Sequence, residues 1–500
     1  VDALCSVASA VDALPPSAWK DRTRKLVGKL LLDVTGTVVQ ALSDGDKAVT
    51  GDSVKVALNI LTRSSSPVQF DGPAGKVVPL GQNAPLAIPV GLKAPMTPDQ
   101  PYWLALPHGN LFDIADPTLI GKAITPQELE VPYTLRFGVN TMVQGVVPVL
   151  HERVDRVKGE LITPVYVVPR ITLQPSTNII ATTKTSQFNV DVIAHGDIAP
   201  ETALQPIIPS GWALDPASVQ ILQLKAGDRS SSTFRVTQKD NSMLGDLHLQ
   251  TIGKEMNDRV LHRIDYPHIV PMNFYTQADV KLVPLDVKVN VQRVGYIMGA
   301  GDEVPQAMEQ LGITVDLIDP ATATLQSLSK YDAIVTGIRA YNVDPALKDL
   351  NPVLMQYVKN GGTLVDQYNT QSQDMVMPDS LIGPYPFTIT RDRVTVEEAP
   401  PTFLDPKNPL MTTPNVITIK DFDGYVQERG TYFLGNLDPH YKALIAWNDP
   451  GESPLNGALV MCDYGKGRFV YTGIGIFRQL PAGVPGAYRL FANLIAKRVQ

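Results

Sequence analysis

Apolar residues recur with three different spacings along the 500-residue chain, and each spacing predicts a different kind of structure. In residues 17–42 they recur every three or four positions, which places them on one face of a helix. The apolar positions are Val27, Leu30, Leu31, Val34, Val38 and Leu42. Because an exposed apolar face is unfavourable in water, we expect this helix to dock on another surface.

From about residue 46 the apolar residues alternate with polar ones in short runs, which is the spacing of a β-strand with one buried face. Examples are SVKVALNIL at 53–61, YTLRFGV at 133–139, QFNVDVI at 187–193 and STFRVT at 232–237. Turns rich in Gly, Pro, Asn and Asp separate the runs, as in antiparallel β-sandwiches. The proline-rich stretch at 163–170 divides the region, so the sequence predicts two sandwiches in tandem.

Beyond about residue 286 short strand-like runs alternate with helix-like segments. Predicted strands cover 291–298, 315–318, 331–337 and 361–367, and predicted helices cover 302–311 and 346–359. This alternation is typical of right-handed βαβ units around a parallel sheet. We therefore predict a C-terminal α/β domain of the flavodoxin-like kind.

The predicted organisation is a helical segment, two antiparallel β-sandwiches and one α/β domain. The boundaries are 1–45 for the helical segment or linker, 46–165 and 166–285 for the sandwiches, and 286–500 for the α/β domain. With 44% hydrophobic and 19% charged residues, the chain has enough apolar side chains to build several cores.

Composition also excludes several classes of partner. A net charge of −7 with no long basic run argues against nucleic acid and against an anionic membrane surface. No apolar run reaches the roughly 18 residues that a membrane span requires. Cys5 and Cys462 lie too far apart in sequence for a disulfide framework or a paired-cysteine metal motif. The first residue is Val1 rather than Met, which favours a processed protein or a piece of a longer one.

Four motifs near the C-terminus carry a family resemblance. They are RVGYIMGAGD at 293–302, YDAIVTGIRAYN at 331–342, GPYPFTITRDRV at 383–394 and RQLPAGVPGAYRLFA at 478–492. These motifs resemble the C-terminal region of large bacterial PIG-L (LmbE-like) deacetylases. In that family a zinc-dependent N-acetyl-sugar deacetylase domain precedes β-sandwich modules and a domain similar to class I glutamine amidotransferases.

The resemblance implies that the chain is the accessory region of such an enzyme. Its implied partners are the N-terminal deacetylase domain, or a cleaved fragment of it, and a glycan or glycoconjugate. The apolar helix face would dock on that missing domain or on the first sandwich. The resemblance also implies an extracytoplasmic location, which means the periplasm, the cell surface or the secreted fraction.

The zinc site of the family cannot be transferred to this chain. It requires a His-Pro-Asp-Asp type motif and a later His-x-x-His pair, because catalytic zinc needs protein ligands beside a carboxylate base. None of the seven histidines lies in such a pattern. His262 and His268 flank Asp265 and could contribute to a metal site, but two polar positions on a strand and its turn are the simpler interpretation. We expect zinc only in the missing N-terminal domain, and no cofactor in this chain.

The amidotransferase-like domain also departs from its family at the nucleophile. Such enzymes place a cysteine at a sharp turn between a strand and a helix. The matching position here falls at Gln367 or Tyr368, and neither forms a thiolate. Cys462 lies on a different strand, where a buried structural thiol is expected. The sequence therefore predicts no catalytic residue and a silent domain similar in layout to the ThuA-like group.

Polar side chains nevertheless follow the predicted strand ends, where ligands bind in open α/β sheets. The candidate ligand-binding residues are Arg339, Tyr341, Asn342, Gln367, Asn369, Glu428, Arg429, Arg478 and Gln479, with Arg391 and Arg393 as further members. Their guanidinium, phenol and amide groups suit ligands rich in hydroxyls or bearing a carboxylate. The alternative is that they satisfy one another, satisfy the loop backbone or pack against a neighbouring domain.

Two other functions remain open from the sequence. The C-terminal domain could be an independent hydrolase that uses Asp366, Glu428 or Asp463 as acid or base, which strongly shifted carboxylate pKa values in a deep pocket would support. The chain could instead be a structural component whose sandwiches mediate oligomerisation or assembly.

Overall fold

Residues 1–72, 75–139 and 141–498 are described by a computed structural model, which is mostly β, with many sheets and a few helices, and multidomain. Two helices open the chain, α1 (Asp2–Asp12) and α2 (Ala18–Thr35). In the described part of the chain no helix is both long enough and apolar enough to cross a membrane.

Helix α2 is shorter than the sequence pattern predicted. It begins after Ser17, whose side chain accepts a hydrogen bond from the Lys20 backbone N–H at 3.1 Å. It ends at Gly36, which adopts the left-handed conformation with φ of 55° and so stops the helix. The prediction of one helix to residue 42 is therefore wrong, since Val38 and Leu42 lie in the strand that follows.

Only part of the apolar face of α2 is buried. Val27 and Leu31 pack into the core of the first β region, which is one of the two docking surfaces that we expected. Leu30 and Val34 are exposed, at 39% and 60% of their maximal surface. The difference follows from position on the helix, because residues 27 and 31 are one turn apart and face the sheet together.

The first β region is built around one long strand. Its strands are β1 (Val38–Ser43), β2 (Lys47–Val49), β3 (Ser53–Leu61), β4 (Val68–Asp71), β5 (Val77–Pro79), β6 (Leu86–Lys93), β7 (Glu130–Phe137), β8 (Thr141–Asp155), β9 (Gly159–Pro164) and β10 (Tyr166–Val168). The order in the main sheet is β5-β4-β7-β8-β1-β3-β6, with β9 also on β8. The first half of β8 pairs with β7, and its second half pairs with β1 and β9, so β8 joins two layers around one core. Two 3-10 turns, Tyr102–Leu104 and Pro117–Leu119, lie in the long connection before β7.

The second β region consists of several smaller sheets around its own core. Its strands are β11 (Ile171–Pro175), β12 (Ile179–Thr182), β13 (Thr185–Ala194), β14 (Thr202–Leu204), β15 (Trp212–Asp215), β16 (Val219–Gln220), β17 (Arg229–Gln238), β18 (Gly245–His248), β19 (Thr251–Gly253), β20 (Arg259–Ile264), β21 (Met272–Gln277) and β22 (Asp279–Pro284). The sheet orders are β11-β13-β17-β15, β12-β22-β18, β16-β14-β19 and β20-β21. The alternating burial of β13 and β17 matches the predicted period of two.

The C-terminal region combines a mixed sheet with helices. Its strands are β23 (Arg293–Ile297), β24 (Thr314–Leu317), β25 (Ala333–Thr336), β26 (Thr363–Gln367), β27 (Thr388–Ile389), β28 (Arg393–Val394), β29 (Thr402–Phe403), β30 (Gly430–Thr431), β31 (Leu434–Gly435), β32 (Lys442–Trp447), β33 (Leu455–Tyr464) and β34 (Gly467–Thr472). Its helices are α3 (Val304–Gln310), α4 (Leu325–Leu328), α5 (Ala340–Val343), α6 (Leu347–Lys359), α7 (Pro409–Thr412), α8 (Ile476–Gln479) and α9 (Pro485–Leu494), with 3-10 turns at Asp379–Leu381 and Ile419–Phe422.

The main C-terminal sheet has the order β24-β23-β25-β26-β34-β33-β32-β29. The first five strands are parallel, and the last three join in antiparallel fashion. Its strands are buried on both faces: in β26, Leu364 belongs to one apolar core and Val365 to the other. One of these cores also takes in Ala181 and Val283, so the second β region packs directly on this domain.

Candidate functional site

The central parallel strands of the C-terminal sheet end at one common edge. The register places Thr336 of β25 opposite Asp366 of β26, and Gln367 of β26 opposite Thr472 of β34. The loops that follow these strands therefore start side by side. In open α/β sheets this edge is the usual place for ligands.

Tyr368 directly follows strand β26 and is, with Gln367, one of the two positions singled out from the sequence. Its ring stacks on that of Tyr432, with centroids 5.6 Å apart and planes 11° apart, and lies 5.4 Å from the ring of Phe477. Burial raises the pKa of the Tyr368 hydroxyl, and the nearby guanidinium groups of Arg478 and Arg339 only partly offset this. The side chain thus serves as an aromatic wall with a protonated hydroxyl.

Three of the candidate residues surround this ring. Arg339 donates its backbone N–H to the Tyr368 carbonyl at 2.8 Å and holds a left-handed φ of 57°. Arg478 forms an ion pair with Glu428, with Nη2 and Oε1 3.1 Å apart, and also contacts Gln427. A non-glycine residue at positive φ is uncommon and costs on the order of 1 kcal/mol or more, so neighbouring contacts must hold it.

An open cleft of about 820 Å³ lies beside this ring cluster. Its walls carry Arg339, Ser372, Asp374, Arg391, Arg393 and Tyr432. Tyr432 also has a positive φ, of 52°, and its carbonyl accepts a hydrogen bond of 2.6 Å from the Tyr471 hydroxyl. Two strained residues on the walls of one cleft are typical of a pre-organised binding surface.

Tyr341 and Asn342 are committed to the structure instead. The fully buried Tyr341 donates its hydroxyl to Asn351 at 2.7 Å. Asn342 makes a reciprocal pair with the backbone of Thr370, with both distances 2.9 Å. These contacts tie the loop after β25 to the loop after β26.

Gln367 and Asn369 are likewise turned into the interior. Gln367 donates its side-chain amide to the Tyr296 hydroxyl at 3.0 Å, and the Asn369 amide oxygen accepts the Tyr341 backbone N–H at 3.0 Å. Both are almost completely shielded from solvent. They stabilise the ends of the strands from beneath the cleft.

Arg429 and Gln479 also have structural surroundings. Arg429 is 4% exposed and lies over the rings of Tyr425 and Trp447, at 5.2 and 5.5 Å. The side chain of Gln479 both accepts from and donates to the backbone of Val426, at 2.8 and 2.9 Å. Of the candidate residues, the structure thus brings Arg339, Glu428 and Arg478 together near the surface, with Arg391 and Arg393 on the adjoining cleft.

Asp366 has the strongly raised carboxylate pKa that a hydrolase would need, but its surroundings are closed. Burial raises its pKa to about 7. The side chain has no exposed surface, and its oxygens accept hydrogen bonds from Thr336 at 2.5 Å and from Asn369 at 3.3 Å. Asp463, opposite Arg468, lies at the other end of the sheet. The carboxylates of the hydrolase alternative are therefore not assembled into one site.

Cys462 is buried among apolar side chains, which raises its pKa to about 12. In the folded protein we expect iodoacetamide at pH 8 to modify the partly exposed Cys5 at least ~100-fold faster, because only a thiolate is nucleophilic. Peptide mass mapping after timed alkylation measures both rates, and unfolding in urea should make them similar. Equal rates in the native chain would contradict the structural role of this thiol.

His262 and Asp265, which the sequence offered as members of a metal site, have other partners. His262 pairs its Nε2 with the Thr276 hydroxyl at 2.8 Å and stacks on Phe274, with ring centroids 4.7 Å apart. Asp265 forms an ion pair with Arg263 at 3.1 Å. Across residues 1–72, 75–139 and 141–498 no three His, Cys, Asp or Glu side chains gather to hold a metal ion.

The sequence did not single out Tyr432, Ser372 or Asp374, which line the cleft. Tyr432 follows a short strand more than sixty residues after β26, and its left-handed backbone has no sequence signature. The pair Ser372 and Asp374 had one available signal, a polar run directly after a buried strand.

Comparisons with known proteins add little. No family model matches the chain, and no curated protein matches it. Among solved structures, an exo-β-1,4-mannosidase from Opitutaceae bacterium strain TAV5 aligns at 14% identity and a TM-score of 0.26 over 42% of this chain and 37% of its own. A Salmonella alpha-2-macroglobulin reacted with methylamine aligns at 10% identity and a TM-score of 0.18 over 51% of this chain and 16% of its own. The chain thus spans well under two thirds of either protein, and similarity at this level does not bear on its function.

Proposed function

We propose that this chain is a non-catalytic accessory region of a PIG-L-like N-acetyl-sugar deacetylase whose zinc domain lies outside the present sequence. The region holds the glycoconjugate on which the zinc domain acts, or positions that domain. The observation that supports the proposal is the stacked pair Tyr368 and Tyr432 beside an open cleft, because neither Gln367 nor Tyr368, where the resemblance implies a nucleophile, can form a thiolate.

The strand order supports an amidotransferase-like or ThuA-like C-terminal domain. Numbered by their order along the chain, the five parallel strands lie in the order 2-1-3-4-5, which is that of flavodoxin-like sheets. The cleft lies at the C-terminal edge of this sheet, where flavodoxin-like proteins hold their ligands. A ligand-binding domain would thus use the sheet edge where flavodoxin-like proteins bind their ligands, but without the catalytic residues of amidotransferases.

The proposal makes two predictions, one about the gene sequence before Val1 and one about the activity of the zinc domain with and without this chain. The sequence before Val1 should encode a domain with a zinc site, and that domain should release acetate from N-acetylated glycoconjugates. Joined to this chain, it should show a several-fold lower KM at nearly unchanged kcat, because the accessory region contributes binding but no chemistry.

Acetate release by the zinc domain alone, by the joined protein and by this chain alone with added zinc measures the three cases. Acetate release by the isolated chain would contradict the non-catalytic assignment. An upstream sequence without a metal-binding domain would remove the accessory role altogether.

A further inference from the structure

The cleft beside Tyr432 carries an excess of positive charge, although the whole chain has a net charge of −7. Of its described lining residues, Arg339, Arg391 and Arg393 are basic and Asp374 is acidic. Guanidinium groups around one concave surface attract anions and match the planar geometry of carboxylate and phosphate.

The single carboxylate is already engaged by its neighbours. Asp374 accepts hydrogen bonds from Ser372 and from the Asn342 amide, and it pairs with Arg339 at 3.4 Å. The Ser372 hydrogen bond lowers the pKa of Asp374. Asp374 therefore balances Arg339 and forms no ion pair with Arg391 or Arg393.

Arg391 and Arg393 form the basic wall of the cleft, here called the arginine clamp. They are two residues apart, Arg393 begins β28, and both residues line the cleft. Both are exposed, and within the described residues neither side chain makes an ion pair or a hydrogen bond. The nearby carboxylate of Asp449 accepts hydrogen bonds from the backbone N–H groups of Thr395 and Val396, at 2.9 to 3.0 Å, and the charge of Arg393 helps to lower the pKa of Asp449 without a direct ion pair.

Tyr432 adds a flat apolar surface to the same cleft. Its ring is backed by Tyr368, and its backbone is anchored by Tyr471, so its orientation is fixed before a ligand arrives. A rigid aromatic face beside hydroxyl groups, here those of Thr370 and Ser372, is suited to a ring that carries both C–H and O–H groups.

The first loop of the sheet does not offer a nucleotide phosphate cradle. A Cβ at Gly299 would lie 2.0 Å from the Ile338 carbonyl, which shows that the loop is pressed against backbone. That carbonyl also accepts the Ala300 N–H at 2.8 Å. The Ala300 amide is thus engaged inside the domain, and the close contact at Gly299 leaves no room for a phosphate there, which favours a sugar over a nucleotide as the anionic ligand.

We propose that the cleft binds an acidic saccharide, whose carboxylate or phosphate group pairs with Arg391 and Arg393 and whose sugar ring lies against Tyr432. The assignment rests on the proposed function, because it names the kind of glycoconjugate that the accessory region holds.

Titration calorimetry on the full chain tests this with four probes: trigalacturonate for a carboxylate, glucose 6-phosphate for a phosphate, maltotriose as the neutral sugar and AMP as the nucleotide. We expect at least one acidic probe to bind ten-fold or more tightly than maltotriose, and to weaken as NaCl is raised from 50 to 500 mM. The probe that binds identifies the anionic group. Equal binding of the neutral sugar, tighter binding of AMP, or no binding of either acid would overturn the assignment.

The double variant Arg391→Ala/Arg393→Ala should lose at least ten-fold in affinity for the acidic probe. Its matched control is Arg153→Ala/Arg156→Ala, which removes two exposed arginines of the first β region and changes the net charge equally. Tyr432→Asn should weaken the acidic sugar but not inorganic phosphate, and asparagine tolerates the positive φ. Equal losses in both double variants would mean that only the overall charge matters, and the clamp would be refuted.

The two proposals can fail separately. If the joined protein shows the lower KM while no acidic probe binds, the accessory role stands and the acidic-ligand assignment fails. If acidic sugars bind through Arg391 and Arg393 but no zinc domain lies upstream, the acidic-saccharide site is confirmed and the assignment to a deacetylase is wrong.

Discussion

Replacing Asp366 with asparagine is expected to stabilise the C-terminal domain at pH 8.5 and to change little at pH 4.5. Burial raises the pKa of this carboxyl from 3.8 to about 7 on folding, so the folded domain favours the protonated form. The stabilisation that comes from this proton is complete below about pH 3.8 and is lost as the pH rises through about 7. A gap of this size corresponds to on the order of 4 kcal/mol once the group must ionise.

Asparagine mimics the protonated acid and cannot ionise, so the variant should avoid this loss. Urea-unfolding midpoints of wild type and variant at pH 4.5 and 8.5 measure the effect. Asp463→Asn is the matched control, because that side chain lies at the opposite end of the sheet and is 52% exposed. If Asp366→Asn kept the pH dependence of the wild type, the native domain would hold Asp366 ionised, and the hydrolase alternative, in which Asp366 acts as acid or base, would have to be reconsidered.

The sequence predicted helices and strands correctly where the spacing of hydrophobic residues depends on local structure alone. The predicted helix at 346–359 matches α6 (Leu347–Lys359), and the predicted strand at 361–367 contains β26 (Thr363–Gln367). The pattern failed at residues 36–42, where apolar residues continued with helical spacing into β1. There one left-handed glycine outweighed the spacing, and Val38 pairs with Leu61 in a contact that only tertiary structure reveals.

From the sequence, only the sheet edge that carries the candidate site could be predicted. The side chains that line its surface could not. Parallel strands end together, so residues after β25 and β26 had to lie near one another. Which of them face outward depends on the short helix α5, which turns Tyr341 into the core and leaves Arg339 at the cleft. The second wall comes from Arg391, Arg393 and Tyr432, whose approach to this edge is set by pairing between β28 and β30. No local pattern encodes that pairing.

The second large effect is expected for Gly486→Ala in helix α9. Gly486 is the second residue of α9, and a Cβ there would lie 1.9 Å from the Asp421 carbonyl oxygen. The overlap cannot relax easily, because Asp421 is held by Arg489 at 2.7 Å and by the Thr418 backbone N–H at 2.7 Å. We expect a loss of about 2–3 kcal/mol in unfolding free energy, although alanine improves helix propensity by about 1 kcal/mol.

Gly28→Ala is the matched comparison, since Gly28 is also a buried glycine inside a helix. Its added Cβ would lie 3.2 Å from a methyl carbon of Val143, so it requires a shift of a few tenths of an ångström in a side chain rather than movement of backbone. We expect a change between zero and a gain of about 1 kcal/mol, set by helix propensity. Urea unfolding of both variants separates the two effects: similar behaviour would show that α9 does not press on Asp421, whereas a loss confined to Gly486→Ala identifies backbone contact as the reason that the second residue of this helix is glycine.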